Sequence, residues 1–174
     1  MTRARRIIAE AIGTALLLAA VVGSGIMGER LAGGNVALAL LANTLATGAT
    51  LVALILTFGP ISGAHFNPAV TLADASQGGL AWREVPGYVT AQIVGAFAGV
   101  AAAHAMFGEP FFSASHRIRA GGAAIRRVRC DVWIAGCHLG LRPPSLLGGA
   151  VRRWSPHYRR ILAYVIYFIC KPPL

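Results

Sequence analysis

The chain has 174 residues, 56% of them hydrophobic and only 13% charged, with a mean hydropathy of +0.62. That is too apolar and too poor in charge for an ordinary soluble domain, and it points to a bilayer as the solvent. The formal net charge of +10 invites a nucleic-acid or anionic-lipid partner; all of it, however, lies in residues 116–174, which hold ten Arg, Lys171 and Asp131, while the five Arg and five acids of residues 1–115 cancel.

In chain order, Ile7 to Met27 is an apolar run broken only by Glu10. Its length suits the roughly 20 residues a helix needs to cross about 30 Å of hydrocarbon. A cleaved signal peptide is the alternative, since Arg3, Arg5 and Arg6 form a basic segment before the run; the run's length, its acid and the spans that follow argue against it. Residues Leu31 to Leu72 and Val85 to Phe107 contain no Asp, Glu, Lys or Arg. Helix two is placed at about 35–58 and helix three at 85–107. The Arg3/Arg5/Arg6 cluster predicts a cytoplasmic N-terminus, and Arg83, two crossings later, falls on the same side.

Between helices two and three lies Gly59 to Ala73, apolar yet too short and too rich in Gly and Pro to span. Pro68 suits the first turn of a helix and Asn67 suits its N-cap. The segment therefore reads as a re-entrant half-helix over about 68–77, entered by an extended leg from Gly63 to Phe66. Non-helical backbone at membrane depth is tolerated where it lines a watery cavity. A half-helix N-terminus there disfavours cations, and the leg's carbonyls offer acceptors to a neutral solute. A Gly/Pro loop without function remains the alternative on these residues alone.

The stretch Ser62-Gly63-Ala64-His65-Phe66-Asn67-Pro68-Ala69-Val70-Thr71 resembles the first signature of the major intrinsic protein family, the aquaporins and glycerol facilitators. Ala9 to Thr14 (AEAIGT) and Ala91 to Ala96 (AQIVGA) are similar to the same family. The resemblance covers residues 1–120. It implies an all-α membrane protein, a right-handed bundle of two inverted repeats, of which this chain holds the first: three spanning helices and one half-helix. It further implies that Asn67, with Pro68 and Ala69, is one of two mid-membrane hydrogen-bond donors, that Gly63, Ala64, His65 and Phe66 lie along the pore, and that Glu10 braces the half-helix backbone. Snorkelling of Glu10 and simple loop packing of His65 are the alternatives. Counted back from Asn67 without gaps, the outer selectivity filter falls on Thr47, small where water-selective members carry an aromatic. The implied function is passive passage of water or small uncharged solutes in the cell's inner (plasma) membrane, with no chemistry, no cofactor and no metal. Lipids are partners, and a homotetramer is implied once a second half is present.

Residues 121–174 do not continue the pattern. Arg126, Arg127, Arg129, Arg142, Arg152, Arg153, Arg159 and Arg160 recur too often for a span, at about 2.5–3.5 kcal/mol per buried Arg. Ile161 to Cys170 is ten residues, too short to cross. No asparagine follows Asn67, so a second pore motif is missing from the tail. Cys130, Cys137 and Cys170 match no metal or redox spacing. A membrane-anchored protein with a basic tail binding anionic lipid or nucleic acid is the rival reading, but the tail lacks amphipathic period and repeated motif, and no nucleic-acid partner is expected.

The genetic code offers a sharper account. Codons exist for Ile125 to Gly140 that, read one base forward, spell FAEFVATFGLLAVIW, an apolar helix whose AEFVAT echoes the AEAIGT of helix one. Inverted repeats predict such an echo at the start of a fourth helix. The same shift from His157 onward permits ITAAYW and, one unmatched residue later, TSSTSFANP, an Asn-Pro where a second pore motif belongs. The tail is therefore read as an out-of-frame translation and the chain as an incomplete, inactive copy of a channel. Helices one to three would then leave the small-residue faces at Gly13, Gly48 and Gly95 open to lipid.

Overall fold

The computed structural model describes residues 2–110. The basic tail, with its shifted-frame fourth helix and second motif, lies outside the described residues. Among these there are four α-helices and no strand: α1 (Arg3–Leu31), α2 (Val36–Ser62), α3 (Pro68–Ser76) and α4 (Val85–Phe107), the last preceded by a single 3-10 turn, Trp82–Glu84.

Three of the helices are long and apolar enough to cross a membrane, and α3, with nine residues, is not. In each long helix only 22–28% of the most apolar window is buried inside the protein. Ile8, Ile12, Leu16, Leu41, Leu45, Leu56, Phe97 and Met106 are all at least 46% exposed. Water would reject such a surface and hydrocarbon accepts it. The chain is thus an all-helical, multi-pass membrane protein.

The helices run past the predicted span limits. Helix α1 has 29 residues, about 43 Å at 1.5 Å per residue. Arg3 to Arg6 and Glu29 to Arg30 thereby stay helical while projecting beyond a hydrocarbon layer of about 30 Å. Helix α2 continues through Gly59 and Pro60 to Ser62, where the sequence suggested a loop. Pro60 removes one donor to the Leu56 carbonyl, but the last turn is closed by Gly63, whose left-handed φ of 93° lets its N–H reach the Gly59 carbonyl at 3.1 Å. Such a glycine cap is a common helix end.

Helix α1 lies between α2 and α4 and packs along both. The approach to α4 is close because Gly95 and Gly99 sit directly on the α1 main chain at Ala11 and Ala15, with no room for a Cβ at either. This corrects one expectation: Gly13 and Gly95 are not open to lipid. The Phe66 ring covers Gly13 and α1 covers Gly95, whereas Gly48 has open space beside it. Ion pairs tie both ends of α1 to the ends of α4, Arg6 to Glu84 at 3.0 Å and Arg30 to Glu109 at 2.7 Å. Exposed pairs of this kind add little stability, yet they fix the ends in register. Arg3 Nη2 also donates to the Arg83 carbonyl at 3.2 Å, so the N-terminus and Arg83 share one end of the bundle.

Candidate functional site

The site is built around a carboxylate. Glu10, the fourth residue of the apolar run that begins at Ile7, is fully buried, and a buried charge must be hydrogen-bonded or paired. Its Oε1 accepts from Ser62 Oγ at 2.6 Å and from the His65 N–H at 3.0 Å. Its Oε2 accepts from the Phe66 N–H at 2.8 Å and from Gln92 Nε2 at 2.8 Å. A carboxylate offers about four lone-pair sites, and here each finds a donor. The four donors come from the end of α2, from the leg and from α4, so one side chain of α1 joins these three segments at the point where the chain turns back.

The leg is not extended, as the sequence suggested. Gly63, Ala64 and Phe66 have φ of 93°, 52° and 48°, in the left-handed region that costs a residue with a Cβ about 1–2 kcal/mol. Turning back in this way is what aims two successive N–H groups at one carboxylate. Every peptide here is trans, so each carbonyl points opposite to the N–H of its own peptide plane. With the N–H groups of His65 and Phe66 held by Glu10, the carbonyls of Ala64 and His65 point away from it. Ser62 Oγ takes the Ala64 N–H at 3.2 Å, and the Ser62 carbonyl accepts from Tyr88 Oη at 3.0 Å.

At the end of the leg, Asn67 is extended (φ −149°) and caps α3, its Oδ1 accepting from the Ala69 N–H at 2.9 Å. That assignment turns the Nδ2 donors outward. Asn67 is half-buried and Pro68, at the first turn of α3, is exposed. The Asn67 carbonyl accepts from Thr71 Oγ1 at 3.2 Å, and Thr71 Oγ1 in turn accepts from Gln92 Nε2 at 2.9 Å. Phe66 packs edge-on to Phe58, with ring centroids 6.1 Å apart, in a cluster with Leu51, Leu54, Ile55, Ala64 and Val70.

Glu10, Gly63, Ala64, His65, Phe66, Asn67, Pro68 and Ala69 are thus brought together, but not all face the same way. The His65 side chain is 3% exposed and lies against Tyr88, with ring centroids 5.5 Å apart. Thr47 stands apart, about 22 Å along α2 from Ser62 at 1.5 Å per residue. It is fully buried, and its hydroxyl donates to the Asn43 carbonyl at 2.8 Å. Asn43 Oδ1 accepts from Ser24 Oγ at 2.7 Å, which ties this part of α2 to α1.

Sequence reasoning passed over Ser62, Thr71, Tyr88 and Gln92, which complete the network. A signal was present: each is a polar side chain beside or inside a charge-free stretch, and in hydrocarbon each needs a partner. Thr14 Oγ1 and Gln92 Oε1 are buried without a hydrogen-bond partner among the described residues. For Gln92 the reason is geometric, since both nearby groups are acceptors and take its Nε2, leaving the oxygen over.

Three membrane-length helices and a half-helix entered by a left-handed leg define the class as an all-α membrane protein with a re-entrant segment. The comparisons agree. Residues 1–142 match the profile of the family described as Major intrinsic protein, and the chain belongs to that family. That match extends past residue 120 into the basic segment. Over 119 residues the chain is 56% identical to the aquaglyceroporin AqpS of Rhizobium meliloti (strain 1021), covering 68% of this chain and 51% of that protein. It is 39% identical over 104 residues to the probable aquaporin NIP7-1 of Arabidopsis thaliana, covering 60% and 37%. It is 42% identical over 101 residues to aquaglyceroporin-3 of Trypanosoma brucei brucei, covering 58% and 32%. The chain therefore spans about half or less of the length of these relatives. The family's members are channels and not enzymes.

Proposed function

We propose that residues 2–110 form one half of a pore for water or small neutral solutes. One observation carries the reading: Glu10 captures the inward N–H groups of the leg, so the Ala64 and His65 carbonyls face the other way, while Asn67, whose Oδ1 caps α3, keeps its Nδ2 donors for a solute. A neutral solute with both donors and acceptors is served there, while the positive end of the half-helix repels cations. The names of the relatives, aquaporins and aquaglyceroporins, support water or glycerol as the solute class. Membrane lipids surround the bundle, and a homotetramer is expected of the completed protein.

The described residues supply one half-helix and one pore asparagine, and we read residues 121–174 as an out-of-frame remnant of the second half. The nucleotide sequence around codon 120 decides this: codons that cannot spell the shifted peptide rule it out. In function, liposomes carrying the 174-residue chain should swell osmotically no faster than empty ones. A chain restored by the one-base shift should conduct, and Asn67→Leu should lower its flux. Rapid swelling with the unrestored chain, or a restored channel indifferent to Asn67, would overturn the reading.

A further inference from the structure

Asp74 does not touch Glu10's four donors except through His65, and it is a mostly buried acid in an otherwise uncharged half-helix. Its Oδ2 lies 3.5 Å from His65 Nε2, at ion-pair distance, with the two side chains 12% and 3% exposed. We propose that Asp74 is a positioning residue for the pore leg, its carboxylate holding the His65 imidazole in the wedge between α3 and α4. The geometry stands by itself, and its consequence for a solute rests on the pore reading above.

Three further observations converge on this assignment. First, Asp74 occupies the last turn of α3, where the unpaired carbonyls of a helix end disfavour a negative charge; the helix gains nothing from an acid there. Second, position 79 is shaped to receive the carboxylate, because a Cβ on Gly79 would come within 2.6 Å of both Asp74 oxygens. Third, the leg is strained at Ala64 and Phe66, and strained backbone persists only when its surroundings hold it. Glu10 holds the main-chain side of the leg, and Asp74 holds the side chain that projects from its middle.

The other groups around His65 fit a fixed role. Tyr88 of α4 lies against the ring and is itself anchored to the Ser62 carbonyl. Arg6 of α1 stands over the Tyr88 ring, 5.6 Å from its centroid, and is neutralised by Glu84. Glu10 takes the His65 N–H. With the imidazole seated, the His65 carbonyl keeps one direction. Without Asp74, the ring is free to leave the wedge and crowd the path beside the leg.

The test uses the full 174-residue chain in lipid vesicles, with diethyl pyrocarbonate as the aqueous probe and mass spectrometry to follow His65 and His104 separately. His104, at the far end of α4, contacts the Pro110 carbonyl and reports general loosening. Asp74→Ala should speed modification of His65 roughly tenfold by local opening and leave His104 unchanged. Gly79→Ala, which keeps the charge but fills its seat, should do the same, and Asp74→Glu should return the rate close to that of the parent. Parent-like modification of His65 in both alanine variants overturns the proposal. So does an equal acceleration at His104, since Asp74 would then only support folding. A channel that ignores Asn67 in the swelling assay would refute the pore reading while leaving this labelling pattern intact.

Discussion

At the scale of single residues, Glu10 bears more of the architecture than any other side chain among the described residues, because four donors from three segments share it as acceptor. Each donor left unsatisfied in the interior costs about 1–3 kcal/mol. Glu10→Ala orphans all four, and the bundle should then fail to resist protease in detergent. Glu10→Gln keeps the shape but turns an NH2 group toward donors; its thermal midpoint, followed by circular dichroism, should fall clearly while the helices still form. An unchanged midpoint for Glu10→Gln would mean that the carboxylate's charge is irrelevant to the leg. Glu10 was conspicuous in the sequence, being the only acid in its span. Asp74 was equally visible, but nothing in the sequence says that the half-helix folds its last turn back against its own entry leg, so its pairing with His65 was not legible.

At the scale of elements, the three spans and the half-helix were legible for physical reasons. Charge-free runs of sufficient length must cross, and Asn67-Pro68 is a strong start signal because the capping oxygen and the missing N–H act on the same turn. What could not be read was set by tertiary contact. Gly59-Pro60 looked like the end of α2, but one missing donor was outweighed by a good glycine cap three residues beyond Pro60, at Gly63. Gly13 and Gly95 looked like surfaces kept for a second repeat, yet here they allow the leg and α1 to close up. The closeness of α1 and α4 yields a prediction at this scale. Gly95→Val inserts atoms where the Ala11 carbonyl lies and should cost about 1–3 kcal/mol through overpacking. It should also pull Gln92, three residues earlier on α4, away from Glu10. The expected result is a lower thermal midpoint and faster amide exchange at His65 and Phe66, whereas Gly48→Val, with open space beside it, should leave both unaltered.

At the scale of the whole molecule, Arg3, Arg6, Arg83 and Glu84 meet at one end, and Arg30 and Glu109 meet at the other. Cysteines placed at 5 and 83 should therefore react with an impermeant thiol reagent from the same side, the cytoplasmic one if the positive-inside rule holds; labelling from opposite sides would break the arrangement. The placement of α1 between its neighbours also bears on the order of synthesis. A ribosome delivers α1 first, so the acceptor for the leg is in the membrane before the leg itself is made. The leg's own N–H groups reach Glu10 next, but Gln92 and Tyr88 emerge only with α4. A nascent chain arrested after α3 has left the ribosome should consequently hold its re-entrant segment open to added protease. Extending the same chain through α4 should close it, so that this half of the protein is finished from the outside of the sequence inward.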